Sequence, residues 1–355
     1  MKWYKFIIIF FLCVTFPLNV FADSGASTIV MEMSSGRVLY SRDADSKRLI
    51  ASITKIMTCI VTLENASLDK VITVGDEVLK MYGTNIYIEV GEKMSIRDLL
   101  YGLMLRSGND AAMVLANNVF NSEEKFVEAM NKKAKEIGMV NTTFSNPHGL
   151  DEETKNYSTA RDMVILSRYA YNNETYREIV KTKKYTCKSN MKSYAWYNRM
   201  TLMNTYKSCI GGKNGYTPSA GKTLVSLAED KGMTLSIVSL KDSDIYNNHE
   251  ILYKKYFDKY KLYTIIDKNN FFIDSNFTDG DVYIRESFKY PLTEDELKRI
   301  STFIKIDRES SGEVCGDVII RFDDKEIGKI KVYRKITEKK EDISIFQKFK
   351  KLFIR

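Results

Sequence analysis

Three short strings of the sequence contain the residue types that a serine acyl transfer requires. They are Ser52-Ile53-Thr54-Lys55, Ser107-Gly108-Asn109 and Lys213-Asn214-Gly215. A serine hydroxyl is a poor nucleophile until a neighbouring base removes its proton. A lysine three residues further along a helix lies on the same face, and it can be that base if burial and a nearby positive charge lower its pKa. We therefore predict that Ser52 is the nucleophile, Lys55 its base and Lys213 the nearby charge.

The serine–lysine spacing alone carries little information, because four other places in the chain have it. These begin at Ser67, Ser122, Ser189 and Ser219. An isolated match would more often mean a helix-capping serine beside a solvated lysine. However, the second string is the only Ser-x-Asn of the sequence and the third is the only Lys-x-Gly. Ser52 also precedes an apolar run, residues 55–61, that predicts a buried helix, whose free N–H groups would suit a developing oxyanion.

The elements that must position these strings follow from hydrophobic periodicity. Alternation predicts a hairpin over residues 27–40 and two strands over 221–240. Helical patterns cover residues 53–64, 96–105, 109–119, 123–137, 159–172 and 248–260. Because strands lie at both ends of this segment with helices between them, we expect an α+β layer in which the terminal strands pair.

Longer strings around the three motifs resemble a known family. They cover residues 30–32, 35–40, 91–100, 107–112, 146–151 and 157–163. On these residues the chain is identified as a member of the low-molecular-mass penicillin-binding proteins, which are serine-type D-alanyl-D-alanine carboxypeptidases of the S11 peptidase type. The resemblance implies an α+β catalytic domain of the serine β-lactamase and penicillin-binding-protein type, an antiparallel sheet with helices, over residues 23–258.

The resemblance implies a role for each polar residue of the first two strings. Ser52 would attack the carbonyl between two D-alanine residues, with Lys55 as general base, and release the terminal D-alanine of a peptidoglycan pentapeptide. Ser107 would relay a proton to the leaving amine, and Asn109 would orient Lys55 and the substrate amide. Water would then hydrolyse the acyl-enzyme, without a cofactor or a metal ion.

The resemblance also implies a substrate-binding set around the third string. Lys213 would hold the substrate carboxylate, and Gly215 would leave room for the substrate backbone. The backbone N–H groups of Ser52 and Tyr216 would form the oxyanion hole, and Arg199 is a candidate for a second carboxylate contact. The implied partners are peptidoglycan stem peptides, with β-lactam antibiotics as acylating inhibitors.

Asn214 departs from the pattern of the family, which usually has Thr or Ser between the Lys and the Gly. The usual hydroxyl binds the substrate carboxylate. An Asn side chain still offers two N–H donors, but it is larger and planar. A misplacement of about 1 Å can cost on the order of 100-fold in rate, so we expect Asn214 to affect efficiency and substrate preference. Since Lys213 and Gly215 remain, we do not expect it to abolish the chemistry.

Both ends of the chain predict contact with a membrane or its export machinery. Lys2 and Lys5, an apolar run and small residues before position 23 predict a signal peptide over residues 1–22, and thus a protein at the outer face of the cytoplasmic membrane. Residues 336–355 predict a basic amphipathic helix on an anionic membrane surface. The alternative is a terminal helix that packs on the protein itself. Residues 334–355 hold eight Lys or Arg and three acidic residues.

The remaining composition limits the other functions. Of the formal net charge of +8, most lies in the basic tail, and the nearly neutral body does not resemble a nucleic-acid-binding face.

Residues 259–335 alternate in short runs, such as 271–273, 282–284 and 318–322, which predict a small β-rich stalk or contact domain. The spacing of Cys59, Cys187, Cys209 and Cys315 favours no disulfide. His148 and His249 lack partners at metal-ligand spacing, and we expect structural roles for both.

Three other functions compete with the carboxypeptidase. A D,D-endopeptidase that cuts cross-linked peptidoglycan would use the same residues. A class A β-lactamase typically has Ser-Asp-Asn and a Glu-x-x-Leu-Asn string, and the chain has neither. A non-catalytic wall-binding protein on the same scaffold would explain Asn214, but it would not need Ser52 and Lys55.

Overall fold

The computed structural model describes residues 27–273, 282–307 and 312–335. The chain divides into two compact units, Met1–Asp258 and Lys259–Arg355, and the sequence analysis places its domain boundary at the same residue. The signal peptide predicted over residues 1–22 and the basic helix predicted over residues 336–355 lie outside the described residues. Within the described ranges, no helix has both the length and the apolar character that crossing a bilayer requires.

The first unit is built on a five-stranded antiparallel sheet with the order β2-β1-β11-β10-β9. The strands of the unit are β1 Ser27–Glu32, β2 Val38–Arg42, β3 Arg48–Leu49, β4 Val71–Thr73, β5 Lys93–Ser95, β6 Tyr157–Ser158, β7 Lys184–Lys188, β8 Ser193–Tyr197, β9 Cys209–Thr217, β10 Gly221–Asp230 and β11 Met233–Leu240. In the central pairing, Ser27 lies opposite Leu240. The predicted pairing of the terminal strands is confirmed.

Helices supply the rest of the first unit, and most begin within two residues of the predicted position. The α-helices are α1 Lys55–Asn65, α2 Ile96–Tyr101, α3 Asn109–Val119, α4 Glu123–Glu136, α5 Ala160–Tyr171, α6 Glu174–Lys181, α7 Leu202–Thr205 and α8 Ile245–Lys259. Two helices differ from expectation. The predicted helix over 96–105 changes to a π-helix at Gly102–Arg106, and the apolar run around Ser52 begins as a 3₁₀ turn, Ala51–Thr54, before α1.

The main hydrophobic core encloses α1 and α3, whose first turns carry site residues. Ile53, Ile56 and Ile60 are at most 1% exposed. The first eight residues of α3, from Asn109 to Ala116, are all buried. Because side chains in a close-packed core can shift little, the starts of both helices are held in fixed positions.

The second unit forms a small antiparallel sheet with its own core. Its elements are β12 Lys261–Ile266, β13 Val282–Ile284, β14 Phe288–Leu292, α9 Glu294–Leu297, β15 Ile300–Ile306, β16 Val314–Phe322 and β17 Lys325–Arg334. The order of its four-stranded sheet is β13-β17-β16-β15. Val318, Ile320 and Val332 are at most 1% exposed. The predicted β-rich character is confirmed, but the run 271–273 is irregular, so that strand prediction was wrong.

Candidate active site

The chain turns sharply just before Ser52. Ala51 lies in the left-handed region with φ 49°, which is costly for a residue with a side chain. The turn is held from outside: Thr223 Oγ1 on β10 donates to the Ile50 carbonyl at 3.0 Å. On the other side, a Cβ on Gly149 would lie 2.1 Å from the Ala51 carbonyl oxygen, so the loop backbone packs directly against the turn. Ser52 is thus fixed by its surroundings in a 3₁₀ turn, one turn before the α-helix proper.

The Lys55 amine is surrounded by three oxygen atoms. Its Nζ lies 2.7 Å from Asn109 Oδ1, 2.5 Å from the His148 carbonyl oxygen and 3.2 Å from Ser52 Oγ. The first two oxygens can only accept hydrogen bonds, whereas the serine hydroxyl can also donate one. A neutral amine has two N–H groups and one lone pair. When the two carbonyl oxygens accept both N–H groups of a neutral amine, the lone pair is left for the Ser52 hydroxyl.

Burial favours the neutral form of the Lys55 amine, which is the form that can accept a proton. Lys55 is 0% exposed. Burial lowers the pKa of its amine well below the ordinary value, and the positive charge of Lys213 lowers it further, while Asp110 opposes the shift. Both causes named in the sequence analysis are present. Because a lowered pKa favours the neutral amine, the environment of Lys55 suits a general base.

Lys213 is a second buried amine beside the site. It is 2% exposed. Burial and then the charge of Arg199 lower the pKa of Lys213 to about 7. Its Nζ donates to the carbonyl oxygen of the next residue, Asn214, at 2.6 Å. The amine thus lies within the strand wall, where it raises the local positive potential.

Ser107 and Asn109 lie where the π-helix ends and α3 begins. Ser107 has φ 67° and is 8% exposed. Asn109 uses both ends of its amide, since Oδ1 accepts from Lys55 and Nδ2 donates to the Tyr82 carbonyl at 2.7 Å. Asn109 is therefore bonded directly to the first string, and Ser107 lines the same cavity as Ser52.

Asp110, the residue after Asn109, binds the backbone of residues 86–88. Its carboxylate accepts hydrogen bonds from the backbone N–H groups of Ile86, Tyr87 and Ile88, at 2.7 to 3.3 Å. The sequence analysis did not assign this role. An acidic residue in the first turn of a helix is common for electrostatic reasons, so its presence gave no sign of a distant partner.

The loop over residues 141–158 places the His148 carbonyl that Lys55 uses. Asn146 Oδ1 accepts from the N–H groups of His148 and Gly149, at 3.2 and 2.6 Å. Asn156 Nδ2 donates to Thr54 Oγ1 at 3.0 Å, which joins the loop to the turn that carries Ser52. Burial lowers the pKa of the His148 ring to about 3, so the ring stays neutral. No residue type marks this carbonyl in the sequence, because every residue has one.

A cavity of about 180 Å³ opens beside the nucleophile. It is lined by Ser52, Thr84, Ser107, Arg199, Asn214, Gly215 and Tyr216. These include six of the nine residues predicted for the site; the exceptions are Lys55, Asn109 and Lys213, which are almost fully buried behind the wall. Thr84 is a lining residue that the sequence analysis missed.

Strand β9 forms one wall of this cavity and passes very close to Ser52. A Cβ on Gly215 would lie 2.7 Å from the Ser52 nitrogen, so only a residue without a side chain fits there. The next residue, Tyr216, is 66% exposed. The Ser52 N–H therefore lies beside the strand segment that leads to Tyr216, as the oxyanion-hole assignment requires.

Arg199 and Asn214 provide the polar groups of the cavity wall. Arg199 is exposed, its backbone N–H donates to the Leu105 carbonyl at 3.2 Å, and its Nη1 lies 3.4 Å from Thr84 Oγ1. Asn214 is half-buried, and its Nδ2 lies 3.3 Å from the hydroxyl of Tyr246 on α8. A charged and an amide group thus face the cavity, as anion recognition requires.

Other reactive groups are inert or absent in the part of the chain that the structure describes. No group of three or more His, Cys, Asp or Glu side chains there is placed to hold a metal ion. Cys59, Cys187, Cys209 and Cys315 are free. Burial raises the pKa of the Cys59 thiol beyond the physiological range. His249 is fully buried and bonded to serine hydroxyls, which gives it a structural role.

Comparison with known proteins relates this site to a known family. A family model described as D-alanyl-D-alanine carboxypeptidase matches residues 19–244. The D-alanyl-D-alanine carboxypeptidase DacF of Bacillus subtilis is 34% identical over 218 residues, which are 60% of this chain and 56% of the relative. A D-alanyl-D-alanine endopeptidase of Pseudomonas aeruginosa is 41% identical over 152 residues, 42% of this chain and 48% of the relative. The chain therefore spans about half the length of these two curated relatives.

Comparison with solved structures also relates the chain to D-alanyl-D-alanine carboxypeptidases. The crystal structure of the D-alanyl-D-alanine carboxypeptidase DacD from Francisella tularensis has a TM-score of 0.68 and 25% identity, and the match covers 87% of this chain and 92% of that chain. The likeness confirms the fold class that the sequence resemblance implied.

Proposed function

The chain belongs to the D-alanyl-D-alanine carboxypeptidase family, and from this premise we propose that it is a serine-type D-alanyl-D-alanine carboxypeptidase that removes the terminal D-alanine from peptidoglycan pentapeptides. The observation that carries the proposal is the set of contacts around the Lys55 amine. Two carbonyl oxygens accept hydrogen bonds from its Nζ, and the same Nζ lies 3.2 Å from Ser52 Oγ. This arrangement suits proton removal from a serine nucleophile.

Acylation begins when Lys55 takes the proton of the Ser52 hydroxyl. The Ser52 oxygen forms a bond to the carbonyl carbon between the two D-alanine residues, and the carbonyl oxygen becomes an oxyanion beside the Ser52 N–H. The carbon–nitrogen bond then breaks. The leaving amine receives the proton from Lys55 through the Ser107 hydroxyl, and D-alanine departs. The peptide remains bound to Ser52 as an ester.

Deacylation uses the same base, which now takes a proton from water and returns it to the serine oxygen. Lys55, neutral again after acylation, takes a proton from a water molecule that attacks the ester carbon. The bond to Ser52 breaks, and the serine oxygen regains a proton from Lys55. The peptide leaves with a new terminal carboxylate, and the resting site is restored.

The site recognises the carboxylate of the terminal D-alanine of the substrate. Arg199 and Asn214 line the cavity, and Lys213 contributes positive potential from behind the wall. A carboxylate that enters the cavity would gain charge-assisted hydrogen bonds there. The same groups would bind the carboxylate of a β-lactam, which we propose as an acylating inhibitor.

The first test is intact-mass analysis of protein without residues 1–22 after brief exposure to benzylpenicillin. We expect one long-lived adduct of the mass of the drug on the parent and none on Ser52→Ala. The thermal midpoint of both proteins shows that both are folded. If a folded parent forms no adduct at high drug concentration, the proposal is wrong, and a non-catalytic wall-binding protein explains the chain better.

A D,D-endopeptidase is the second candidate, because one relative carries that name. Both activities would use Ser52 and Lys55, so only the substrate distinguishes them. We expect the protein to release D-alanine from a pentapeptide faster than it cleaves a cross-linked peptide dimer at equal concentration. The opposite order would favour the endopeptidase.

We further propose that the protein is exported and attaches to the outer face of the cytoplasmic membrane through residues 336–355. The support is the signal-like pattern of residues 1–22 and the apolar stripe beside the basic residues of the tail. We expect the chain without residues 1–22 to sediment with anionic vesicles at low salt but not with neutral vesicles. Removal of residues 336–355 should abolish sedimentation and leave penicillin acylation unchanged. Equal sedimentation of the truncated protein would contradict the proposal.

A further inference from the structure

Asn214 occupies a position between the cavity and the first turn of α8. It lines the cavity beside Ser52, and its Nδ2 lies 3.3 Å from the hydroxyl of Tyr246. Both Asn214 and Tyr246 are half-buried. The amide is therefore in contact with a protein hydroxyl on one side and with the space for substrate on the other.

The contact uses one of the two N–H groups of the Asn214 amide nitrogen. In the structure Nδ2 donates to the Tyr246 hydroxyl at 3.3 Å. The second N–H of the same nitrogen can then donate to a carboxylate in the cavity. A free Asn side chain has a broad torsional preference about its Cβ–Cγ bond, so a fixed partner decides which way it points.

The start of α8 is held firmly enough to act as that partner. His249 lies three residues after Tyr246, and its ring contacts Ser226 Oγ on β10 at 2.7 Å and Ser239 Oγ on β11 at 3.0 Å. Lys222 Nζ, also on β10, donates to the Ser243 carbonyl at 2.8 Å. Because β10 pairs with β9, Tyr246 is joined through the sheet to the strand that carries Asn214.

Lys213 is poorly suited to bind the substrate carboxylate in place of Asn214. Its amine is 2% exposed, and it already donates to the Asn214 carbonyl. Since its pKa is also lowered to about 7, part of its charge is lost at neutral pH. A directional donor at the wall therefore matters more here than in a site where the buried lysine is fully charged.

We propose that Tyr246 is a positioning residue for substrate selection: its hydroxyl accepts one N–H of Asn214 Nδ2, so that the second N–H of this group binds the terminal carboxylate of the peptide. The inference rests on the proposed function and assigns Asn214 the carboxylate-binding role of the missing hydroxyl. Tyr246 itself does not touch the substrate. The pair explains how the larger, planar amide can serve in this position.

The test is a double-mutant cycle on the chain without residues 1–22. The variants are Tyr246→Phe, Asn214→Thr and the two combined, assayed by release of D-alanine from a pentapeptide. We expect Tyr246→Phe to raise KM about fivefold to tenfold with little change in kcat, because it weakens carboxylate binding in the ground state and the transition state alike. In the Asn214→Thr background, the same change should alter KM by less than about twofold, because no amide remains to be held.

The control is Tyr256→Phe, which removes a hydroxyl from the same helix ten residues further on. It should leave KM unchanged, and thermal midpoints report any loss of folding. The inference is overturned if Tyr246→Phe leaves KM at the parent value, or if it has the same effect with Asn214 and with Thr at position 214. A general loss of packing would lower kcat and stability in both backgrounds.

Failure of the proposed function would give a different result. If the parent releases no D-alanine but still forms the penicillin adduct, the peptide assignment is wrong, and the cycle is read from the second-order rate of penicillin acylation, since penicillin also has a carboxylate. The same coupling is expected there, and its absence overturns the inference. If the parent forms no adduct either, both proposals fail.

Discussion

At the scale of single residues, the site depends on two buried lysines in opposite protonation states. Lys55 must be neutral to accept a proton, and burial lowers its pKa well below the ordinary value. Lys213 must be charged to attract a carboxylate, yet burial and Arg199 lower its pKa to about 7. Acylation should therefore depend on pH through both amines, and the alkaline side is set by Lys213.

The first prediction concerns the alkaline side of this pH dependence. The second-order rate of acylation by benzylpenicillin should fall as pH rises above about 7, because Lys213 of the free protein loses its proton there. The measurement is the acylation rate between pH 5 and pH 10. An arginine stays charged throughout, so Lys213→Arg should have a lower rate but no alkaline decline up to pH 10. A decline that is the same in Lys213→Arg would assign it to another group.

The second prediction concerns stability. A lysine with a lowered folded-state pKa destabilises the fold fully below that pKa, and the effect fades as pH rises towards the unfolded pKa. For Lys213 the window runs from about 7 up to its ordinary value of 10.5. Lys213→Met should therefore raise the thermal midpoint more at pH 6 than at pH 9. Lys222→Met, at an exposed lysine of β10, is the control and should show no such difference.

Several site residues could be predicted from the sequence because their chemistry restricts their type. Ser52, Lys55, Ser107 and Asn109 have side chains that few other residues can replace. The His148 carbonyl and the Tyr246 hydroxyl could not be predicted. The first is a backbone atom, and the second lies 32 residues from Asn214 in a chain that has 22 tyrosines.

At the scale of elements, the close approach of β9 to the nucleophile is the feature with the sharpest consequence. Gly215→Ala should lower the rate of penicillin acylation on the order of 100-fold, because the added methyl group would displace the strand from the Ser52 nitrogen, 2.7 Å away. Intact-mass kinetics measure the rate, and a nearly unchanged thermal midpoint shows that the fold survives. Acylation at the parent rate would contradict the prediction.

The attachment of residues 86–88 to α3 gives another prediction. Asp110→Ala leaves several buried N–H groups without an acceptor and should lower the free energy of unfolding by about 3 kcal/mol. Amide hydrogen exchange at Ile86 and Tyr87 should become faster, and urea unfolding measures the stability. Asp69→Ala removes an aspartate that is 85% exposed and should change stability little. Equal effects of the two variants would show that the loop does not depend on Asp110.

The helices were easier to predict than the strands around the site. Helix α5 has a clear apolar stripe, and its predicted range, 159–172, differs from the observed Ala160–Tyr171 by one residue at each end. The sequence pattern did not reveal β9, because Gly211, Gly212 and Gly215 interrupt it and Gly is a poor strand former. Its place at the edge of the sheet is fixed by pairing with β10, which is a tertiary effect.

At the scale of the whole molecule, every residue of the candidate site lies in the first unit. A chain of residues 23–259, which ends with α8, should therefore be acylated by benzylpenicillin within about twofold of the parent rate, because the unit has its own core and sheet. The measurement is the second-order rate by intact mass. A loss of more than tenfold in a folded truncation would show that the second unit takes part in the site.

The pairing of β1 with β11 also sets the order in which the first unit can fold. Thr28 and Ser239 share a hydrogen bond across 211 residues of chain, so the centre of the sheet joins the two ends of the segment. Contacts so distant in sequence close slowly. Synthesis on the ribosome begins at the N-terminus. One edge of β1 therefore lacks its partner strand β11 until the chain has been made as far as residue 240. A partly synthesised chain therefore cannot complete the central sheet of the first unit.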